Sequence, residues 1–477
     1  MINLSNLDLS SVIPEIAVTA GILVLIIREL VRKERSALGI GWGSMVLLTG
    51  LIVLALRVGV RPGDQLFGAL VDDGVTVFFK VFFSLATLLS MALALFTFKR
   101  EGEPYLLLLS SVLGMFLLGG ANDIVTLIVA IELVSIPSYI LAGYNRRDPR
   151  SAEASLKYVL YGAVSSGVMI YGFSLLYGLT GATSIPDMAR HFAGGDFPQI
   201  VYLIALTLVL AGIGYKIAMV PFHFWCPDVY EGSPTAITAF FSVAPKAAGF
   251  AALFRMMDVF AAPASVAGID ARFLFSIASA LTMTFGNLGA LHQMNLKRLL
   301  AYSSIAHAGY ILMGFAAGTA EAYQAVLFYL VVYLFMNLGA FLVVDAAGRK
   351  LGGEDTTHIK GLGKTSPALA LALAVFLFSL VGLPPLAGFI GKFYLFSALV
   401  KENMWALALI GVANSVVSLV YYVRVMREMF LTDPAAEALP IPITLGLSLL
   451  TLIFLVPTLV LGIWWGPLAG WVRAAVG

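Results

Sequence analysis

Runs of about 20 apolar residues recur along almost the whole chain, separated by short polar segments, and this pattern restricts the possible folds more than any other feature. A helix of that length crosses a hydrocarbon core of ~30 Å, and only helices or closed barrels satisfy their backbone polar groups in lipid. The runs cover 11–31, 38–58, 73–98, 104–120, 122–143, 155–179, 198–226, 234–259, 271–293, 297–317, 320–346, 367–400, 403–430 and 441–466. They predict an all-α polytopic membrane protein of about 14 transmembrane helices, with both termini on one side. The composition agrees, since 60% of the 477 residues are hydrophobic and only 12% are charged, far from the balance of a soluble domain.

Charge placement orients the helices. Asp8 and Glu15 precede or open the first run, while Arg28, Arg32, Lys33 and Arg35 close it. This order differs from that of a signal peptide and runs the first helix from outside to inside. With fourteen spans, eighteen of the 29 basic residues fall at inner loops or helix ends, Lys99, Arg100, Arg146, Arg147, Lys297 and Arg298 among them, and only seven fall outside. A net charge of +2, without basic runs interleaved with aromatics, excludes a nucleic-acid groove. Cys226 is the only cysteine, and the five histidines, His191, His223, His292, His307 and His358, are scattered. No disulfide, metal or haem of its own is therefore expected.

The four remaining basic residues, Lys80, Lys216, Lys246 and Lys392, fall inside spans. Each costs ~3 kcal/mol on insertion scales, so a membrane-embedded lysine is read first as functional. Two of them adjoin predicted breaks. The seventh span has Lys216 beside Gly212, Gly214 and Pro221, and the twelfth has Lys392 just after Pro384 and Pro385, which interrupt the helical ladder. Spans four to eight and nine to thirteen are two sets of five with the broken member fourth in each. Five is odd, so one set is predicted to be inverted relative to the other, as in inverted-repeat transporters. The expected division is 1–103 for helices 1–3, 104–260 for the first repeat, 261–430 for the second, and 431–477 for helix 14.

Glu132, midway between Asn122 and Gly143 in the fifth span, is the expected counter-ion of Lys216. If such a pair separates, the lysine loses its counter-ion and becomes able to release its proton; a static pair that fixes helix packing is the other reading. His307, midway along the tenth span, either bonds a neighbouring backbone or relays protons between Lys246 and Lys392. Lys80 is expected to snorkel to the interface. His223 is either a cytoplasmic entry point or a helix-end residue, and Lys297 is a secondary candidate at the inner surface. Asp228 and Glu231 read as solvated inner-surface acids. Gly314 and Gly318 form a GxxxG packing motif. The GLGKTS segment mimics a phosphate-binding loop but has His358 where the first glycine belongs.

Four stretches, IELVSIPSYIL, GYKIAMVPFHFWCPDVYEGSPTAITAFFSVAPKAAGF, LKRLLAYSSIAHAGY and GLPPLAGFIGKFYLF, together resemble the antiporter-like membrane subunits of the proton-pumping NADH:quinone oxidoreductase, respiratory complex I. PDVYEGSP separates this branch from its sister subunits L and M. The resemblance implies that Glu132 and Lys216 form the family's pair, that Lys246 is the central lysine and Lys392 the terminal one, and that His307 links the two halves. Protons would pass along this axis, driven by quinone chemistry elsewhere. FMN, iron–sulfur clusters and quinone would belong to partner subunits, with no cofactor in this chain. The implied partners are antiporter-like subunit M, small subunits K, J and A, and lipids. The implied location is the bacterial cell inner membrane, with both termini periplasmic. An Mrp-type cation/proton antiporter subunit would use the same residues, as would the equivalent subunit of a ferredoxin-dependent photosynthetic complex; a passive membrane scaffold would gain nothing from lysines in its spans.

Overall fold

Polar caps open many of the apolar runs. Asp73, Asp123, Asp148, Ser184, Asp270, Asn295, Thr319 and Thr444 each accept a hydrogen bond from the first turn of the helix they precede, satisfying N–H groups that a helix start leaves free. The computed structural model describes residues 12–31, 37–98, 101–263, 265–266, 270–434 and 440–477. Asp8, Arg32, Lys33, Arg35, Lys99 and Arg100, which entered the charge count, lie outside the described residues.

In chain order the elements are α1 (Ile13–Val31), α2 (Ala37–Val58), β1 (Arg61–Gln65), β2 (Leu70–Asp72), α3 (Gly74–Ala94), α4 (Glu103–Gly120), α5 (Ile124–Ala142), α6 (Pro149–Thr180), α7 (Ile185–Ala193), α8 (Gln199–Ile217), α9 (Trp225–Gly232), α10 (Thr235–Ala261), α11 (Ala271–Leu291), α12 (Leu296–Ala317), α13 (Ala320–Leu351), α14 (Leu362–Thr365), α15 (Pro367–Val381), α16 (Ala387–Lys401), α17 (Trp405–Phe430), α18 (Leu445–Ile463) and α19 (Gly466–Val476). Among the described residues, twelve helices are long and apolar enough to cross a membrane. With α1 and the broken pair α15/α16 they reproduce the fourteen predicted spans.

Five small elements were not foreseen: the antiparallel hairpin β1–β2, the short helices α7, α9 and α14, and α19 after the last span. All lie between or beyond the spans and are too short to have registered as apolar runs. The centre of the bundle is α10, α12 and α13, buried almost all round, which fits helices that are apolar on every face. Gly314 of the GxxxG motif faces α13, where an added Cβ would lie 2.3 Å from Val326 Cγ2.

Both predicted breaks are present. α8 ends at Ile217, where Ala218 adopts a left-handed conformation at φ 58° and its N–H returns to the Gly214 and Tyr215 carbonyls. α15 ends at Gly382, at φ 90°. Backbone groups released near the breaks are recaptured by side chains, as a low-dielectric setting requires. Trp225 Nε1 donates to Tyr215 O at 2.9 Å, and Val220 N–H to Thr282 Oγ1 at 3.1 Å. At the second break Gly388 N–H donates to Ser379 Oγ at 3.1 Å, and the Lys392 ammonium donates to Val381 O at 2.8 Å. The lysine thus caps the negative end of α15.

Candidate functional site

Three of the lysines predicted inside spans sit in the bundle interior, each 2–3% exposed, and each donates to a serine hydroxyl. Lys216, on the last turn of α8, reaches Ser135 Oγ of α5 at 2.9 Å. Lys246, which follows Pro245 within α10, donates to Ser304 O of α12 at 3.1 Å and also contacts Ser304 Oγ. Lys392, on α16 beyond the second break, donates to Ser415 Oγ of α17 at 3.1 Å as well as to Val381 O. None of the three has a carboxylate within ion-pair distance among the described residues.

α12 joins the last two lysines. Three positions after Ser304, about one turn, comes His307, whose Nδ1 lies 2.6 Å from the Tyr329 hydroxyl of α13. A further three positions on, the Tyr310 ring lies under Lys392 Nζ at 4.2 Å, and its hydroxyl accepts from Ser415 Oγ at 3.1 Å. The His307 ring also adjoins those of Tyr310 and Tyr333. Lys246, Ser304, His307, Tyr310, Tyr329, the half-buried Ser415 and Lys392 therefore form one polar line through the second half of the bundle. Asn287 and Asn414 continue polar contacts beyond it, with Asn287 Nδ2 3.1 Å from Asn414 Oδ1 and the Tyr421 hydroxyl donating to Asn287 Oδ1 at 3.0 Å.

The first half is less continuous. Glu132 is half-buried, accepts from Ser166 Oγ of α6 at 2.5 Å, and makes no ion pair with Lys216. It stands one turn before Ser135 on α5, so Glu132 and the Ser135 partner of Lys216 occupy neighbouring positions of one helix while the two charged groups do not touch. The expected direct pair is replaced by this arrangement because Lys216 leans toward the C-terminal side of Glu132. α8 and α10 meet closely at Gly249, where an added Cβ would lie 3.2 Å from Lys216 Cβ and Cγ. Lys246 is three residues before that glycine.

The other candidates separate. His223 is buried beside the first break, packs on Phe224 with ring centroids 4.5 Å apart, and its Nδ1 has no hydrogen-bond partner among the described residues. It joins none of the lysines. Lys297 is buried at the start of α12, 2.9 Å from Ser233 O and 3.0 Å from Glu354 Oε1. Together these residues line a cavity of 710 Å³ with Asp345, Arg349 and His358. Asp228 is not a freely solvated acid: Lys157 Nζ and Arg298 Nη1 each approach its carboxylate to 2.6 Å. Burial acts to raise its pKa, but these hydrogen bonds outweigh burial and hold it below the usual carboxylate value. Arg298 also pairs with Glu231 at 2.8 Å.

Lys80 requires a correction. It does not snorkel; it is 3% exposed and lies 3.0 Å from both Glu15 Oε1 and Asp72 Oδ1. Two carboxylates from other elements hold it inside the bundle, and nothing in its own helix announces them. Ser135, Ser304, Tyr310, Tyr329 and Ser415 were also missed, because a hydroxyl in an apolar helix usually bonds its own backbone, as Ser135 does to Ile131 O.

The NADH:quinone oxidoreductase/Mrp antiporter transmembrane family model matches residues 121–418, the region containing all of these lysines except Lys80. NADH-quinone oxidoreductase subunit N of Anaeromyxobacter sp. is 45% identical over 97% of this chain and 95% of its own. A chain of respiratory complex I from Thermus thermophilus superposes with a TM-score of 0.84 at 32% identity, over 97% of this chain and all of that one. A chain of the Mrp complex from Dietzia sp. shares the fold, with a TM-score of 0.84 at 23% identity over 98% of this chain and 97% of that one. Family match, relatives and interior lysines agree: the chain belongs to the NADH:quinone oxidoreductase/Mrp antiporter membrane family, among its subunit N members.

Proposed function

We propose that this chain is the proton-translocating membrane subunit N of an NADH:quinone oxidoreductase, carrying protons along Glu132, Lys216, Lys246, His307 and Lys392. The observation that carries the proposal is the buried line from Lys246 through Ser304, His307 and Tyr310 to Lys392, in which a proton carrier or hydroxyl stands on each successive turn of α12. Three ammonium groups resting on neutral oxygen partners suit this task. A lysine locked to a carboxylate would hold its proton, and an arginine would hold it at any physiological pH.

Protons enter, in this reading, from the cavity that Ser233, Lys297 and Glu354 line. Two buried hydroxyls lack hydrogen-bond partners among the described residues, Ser233 Oγ on the cavity wall and Tyr230 Oη, and Lys246 Nζ is 5.9 Å from the Tyr230 ring centroid. Unpartnered buried polar groups in a row are where ordered water is found. From Lys246 the carriers lead one way to His307 and Lys392 and the other to Lys216, Ser135 and Glu132.

Glu132 lies at the edge of a face where Val129, Ile136 and Val164 are more than half exposed. A neighbouring membrane subunit covering this face would sense the charge of Glu132 and pass on the driving signal. Antiporter-like subunit M and small subunits K, J and A are the proposed neighbours. FMN, iron–sulfur clusters and the quinone are assigned to other subunits, with no redox centre in this chain. The proposed location is the bacterial inner membrane, with both termini on the periplasmic side. Moving one charge against ~100 mV requires about 2.3 kcal/mol, within the range of a semi-buried charge rearrangement.

The test is Lys246→Ala in the chain's own membrane complex, with assembly checked on a native gel. Loss of both proton pumping and NADH:quinone turnover is expected. Wild-type pumping in a fully assembled variant overturns the route.

A further inference from the structure

At the end of the bundle where α13 begins and α16 finishes, three helices wall a cavity of 500 Å³ that none of the proposed proton carriers lines. α13 contributes Glu321, Gln324, Ala325 and Phe328, and α16 contributes Tyr394, Ser397, Ala398 and Lys401. Each set has the i, i+3, i+4, i+7 spacing of a single helix face, so two ordered stripes confront one another. α19 supplies Ala469, Val472 and Arg473 as the third wall, and Gly477 borders it. α13 packs against both of the other helices, whereas α16 and α19 stand apart, which leaves the cavity open between them.

The chemistry of the walls changes with depth. Glu321 and Lys401 form the rim, paired at 2.5 Å and each 60% exposed. Arg473 is exposed, and its guanidinium has no carboxylate within ion-pair distance among the described residues. One turn below the rim, Gln324 and Ser397 are half-buried, and neither side chain has a hydrogen-bond partner among the described residues. Two turns below it, the ring of buried Phe328 meets that of Tyr394 edge-on with centroids 5.2 Å apart.

Seven residues of helix separate rim from floor, about 10 Å. The headgroup layer on each side of a bilayer is about 5–8 Å deep, so a rim at headgroup level puts the floor among the first acyl carbons. The residues around the mouth fit that level. Trp465, four positions before Ala469 on the same face of α19, and its neighbour Trp464 are 36% and 69% exposed, as indoles are at the membrane–water boundary. Phe393, next to Tyr394, is 56% exposed. The occupant therefore has a charged end, hydrogen-bonding groups behind it and an apolar tail. Two cations and a carboxylate face the charged end, so a headgroup that carries both a phosphate and an ammonium meets each sign, while a purely anionic one brings like charge to Glu321.

We propose that this cavity binds a phospholipid with a phosphoethanolamine headgroup. Arg473 and Lys401 hold the phosphate through charge-assisted hydrogen bonds, and Glu321 accepts from the ammonium. Gln324 and Ser397 donate to the ester oxygens. One acyl chain starts over Phe328 and Tyr394 and leaves between α16 and α19. Lys392 and its partners lie outside the cavity, so the site stands whether or not the route proposed above carries protons.

The test uses the intact membrane complex, purified in mild detergent and incubated with phosphatidylethanolamine that carries a photoreactive diazirine near the top of one acyl chain. After irradiation, mass spectrometry of its peptides should find the label around Phe328 and Tyr394. Unlabelled phosphatidylethanolamine should displace it severalfold better than phosphatidylglycerol does. Arg473→Gln should lower the labelling severalfold, and Ala469→Phe, which fills the cavity from the α19 wall, should abolish it with the charged rim intact; native gels check the assembly of both. Equal labelling in wild type and both variants overturns the proposal, because the probe then reports bulk lipid. Equal displacement by the two lipids, read in wild type without any variant, overturns the headgroup assignment. Absence of label from these peptides in wild type overturns the site itself, since a neighbouring subunit or water then fills the cavity.

Discussion

Lys216 donates its hydrogen bond to Ser135 at 2.9 Å, and Ser135 stands one turn beyond Glu132 on α5. The serine holds the ammonium near the carboxylate without closing an ion pair, so that in the proposed route the lysine gives up its proton without first breaking a salt bridge. Lys216→Ala should lower pumping and turnover at least tenfold in an assembled complex. Lys216→Arg should do the same, since a guanidinium keeps its proton. Ser135→Ala removes one hydrogen bond of the ammonium, worth ~1.5–3 kcal/mol, and should cost tenfold or more. Paired assays of pumping and NADH:quinone turnover in membrane vesicles decide; full activity in Lys216→Arg would rule out proton release from this residue.

The His307–Tyr329 contact at 2.6 Å gives the central helix its only ring nitrogen on the route. His307→Leu interrupts the line between Ser304 and Tyr310 and should reduce pumping about tenfold or more, while Tyr329→Phe keeps the ring packing, removes one hydrogen bond, and should reduce it about fivefold. Equal pumping in His307→Leu and wild type, at equal assembly, would show that protons bypass α12.

Gly382 ends α15 at φ 90°, and an added Cβ would sit 3.0 Å from Lys392 Cδ. Gly382→Ala meets both a left-handed backbone cost of ~1–2 kcal/mol and the stem of the lysine that caps Val381 O. Lower steady-state levels of assembled complex and displaced Lys392 function are expected. Gly178→Ala, which meets open space on α6, serves as the neutral control; matching levels in the two variants would dismiss the strain argument.

The sequence pattern revealed the spans and both breaks because apolar length and proline placement are local properties. Lys392 was recognisable from Pro384 and Pro385, and Lys246 from its apolar surroundings. Partners were not recognisable, since they depend on how distant helices meet. Lys80 read as snorkelling because Glu15 is 65 positions away on another helix, and Lys216 was matched to Glu132, the obvious carboxylate of α5, when a plain serine one turn later is nearer. The Lys246–Ser304 contact spans 58 positions. Serine and tyrosine hydroxyls carry no signal of their own in an apolar helix, so the links of the line emerge only from the packing of α10, α12, α13 and α16.

Asp228 ties three elements together at one end of the bundle, bonding Lys157 of α6 and Arg298 of α12 from its own place on α9. Its carboxyl is held below the usual value, burial being outweighed by those hydrogen bonds. A group with a lowered folded-state pKa contributes stability above its unfolded value of ~3.9 and loses that contribution as the pH falls through the folded-state value. Asp228→Asn should therefore destabilise the complex by about 1 kcal/mol at neutral pH, a figure reduced for partial exposure and salt screening. The difference from wild type should stay level between about pH 5 and 8 and shrink only under stronger acid. Thermal loss of the assembled complex, measured for both forms across that range, checks the claim. A difference that shrinks already between pH 8 and 5 would mean that the carboxyl titrates well above its ordinary value and that Lys157 and Arg298 do not hold it charged.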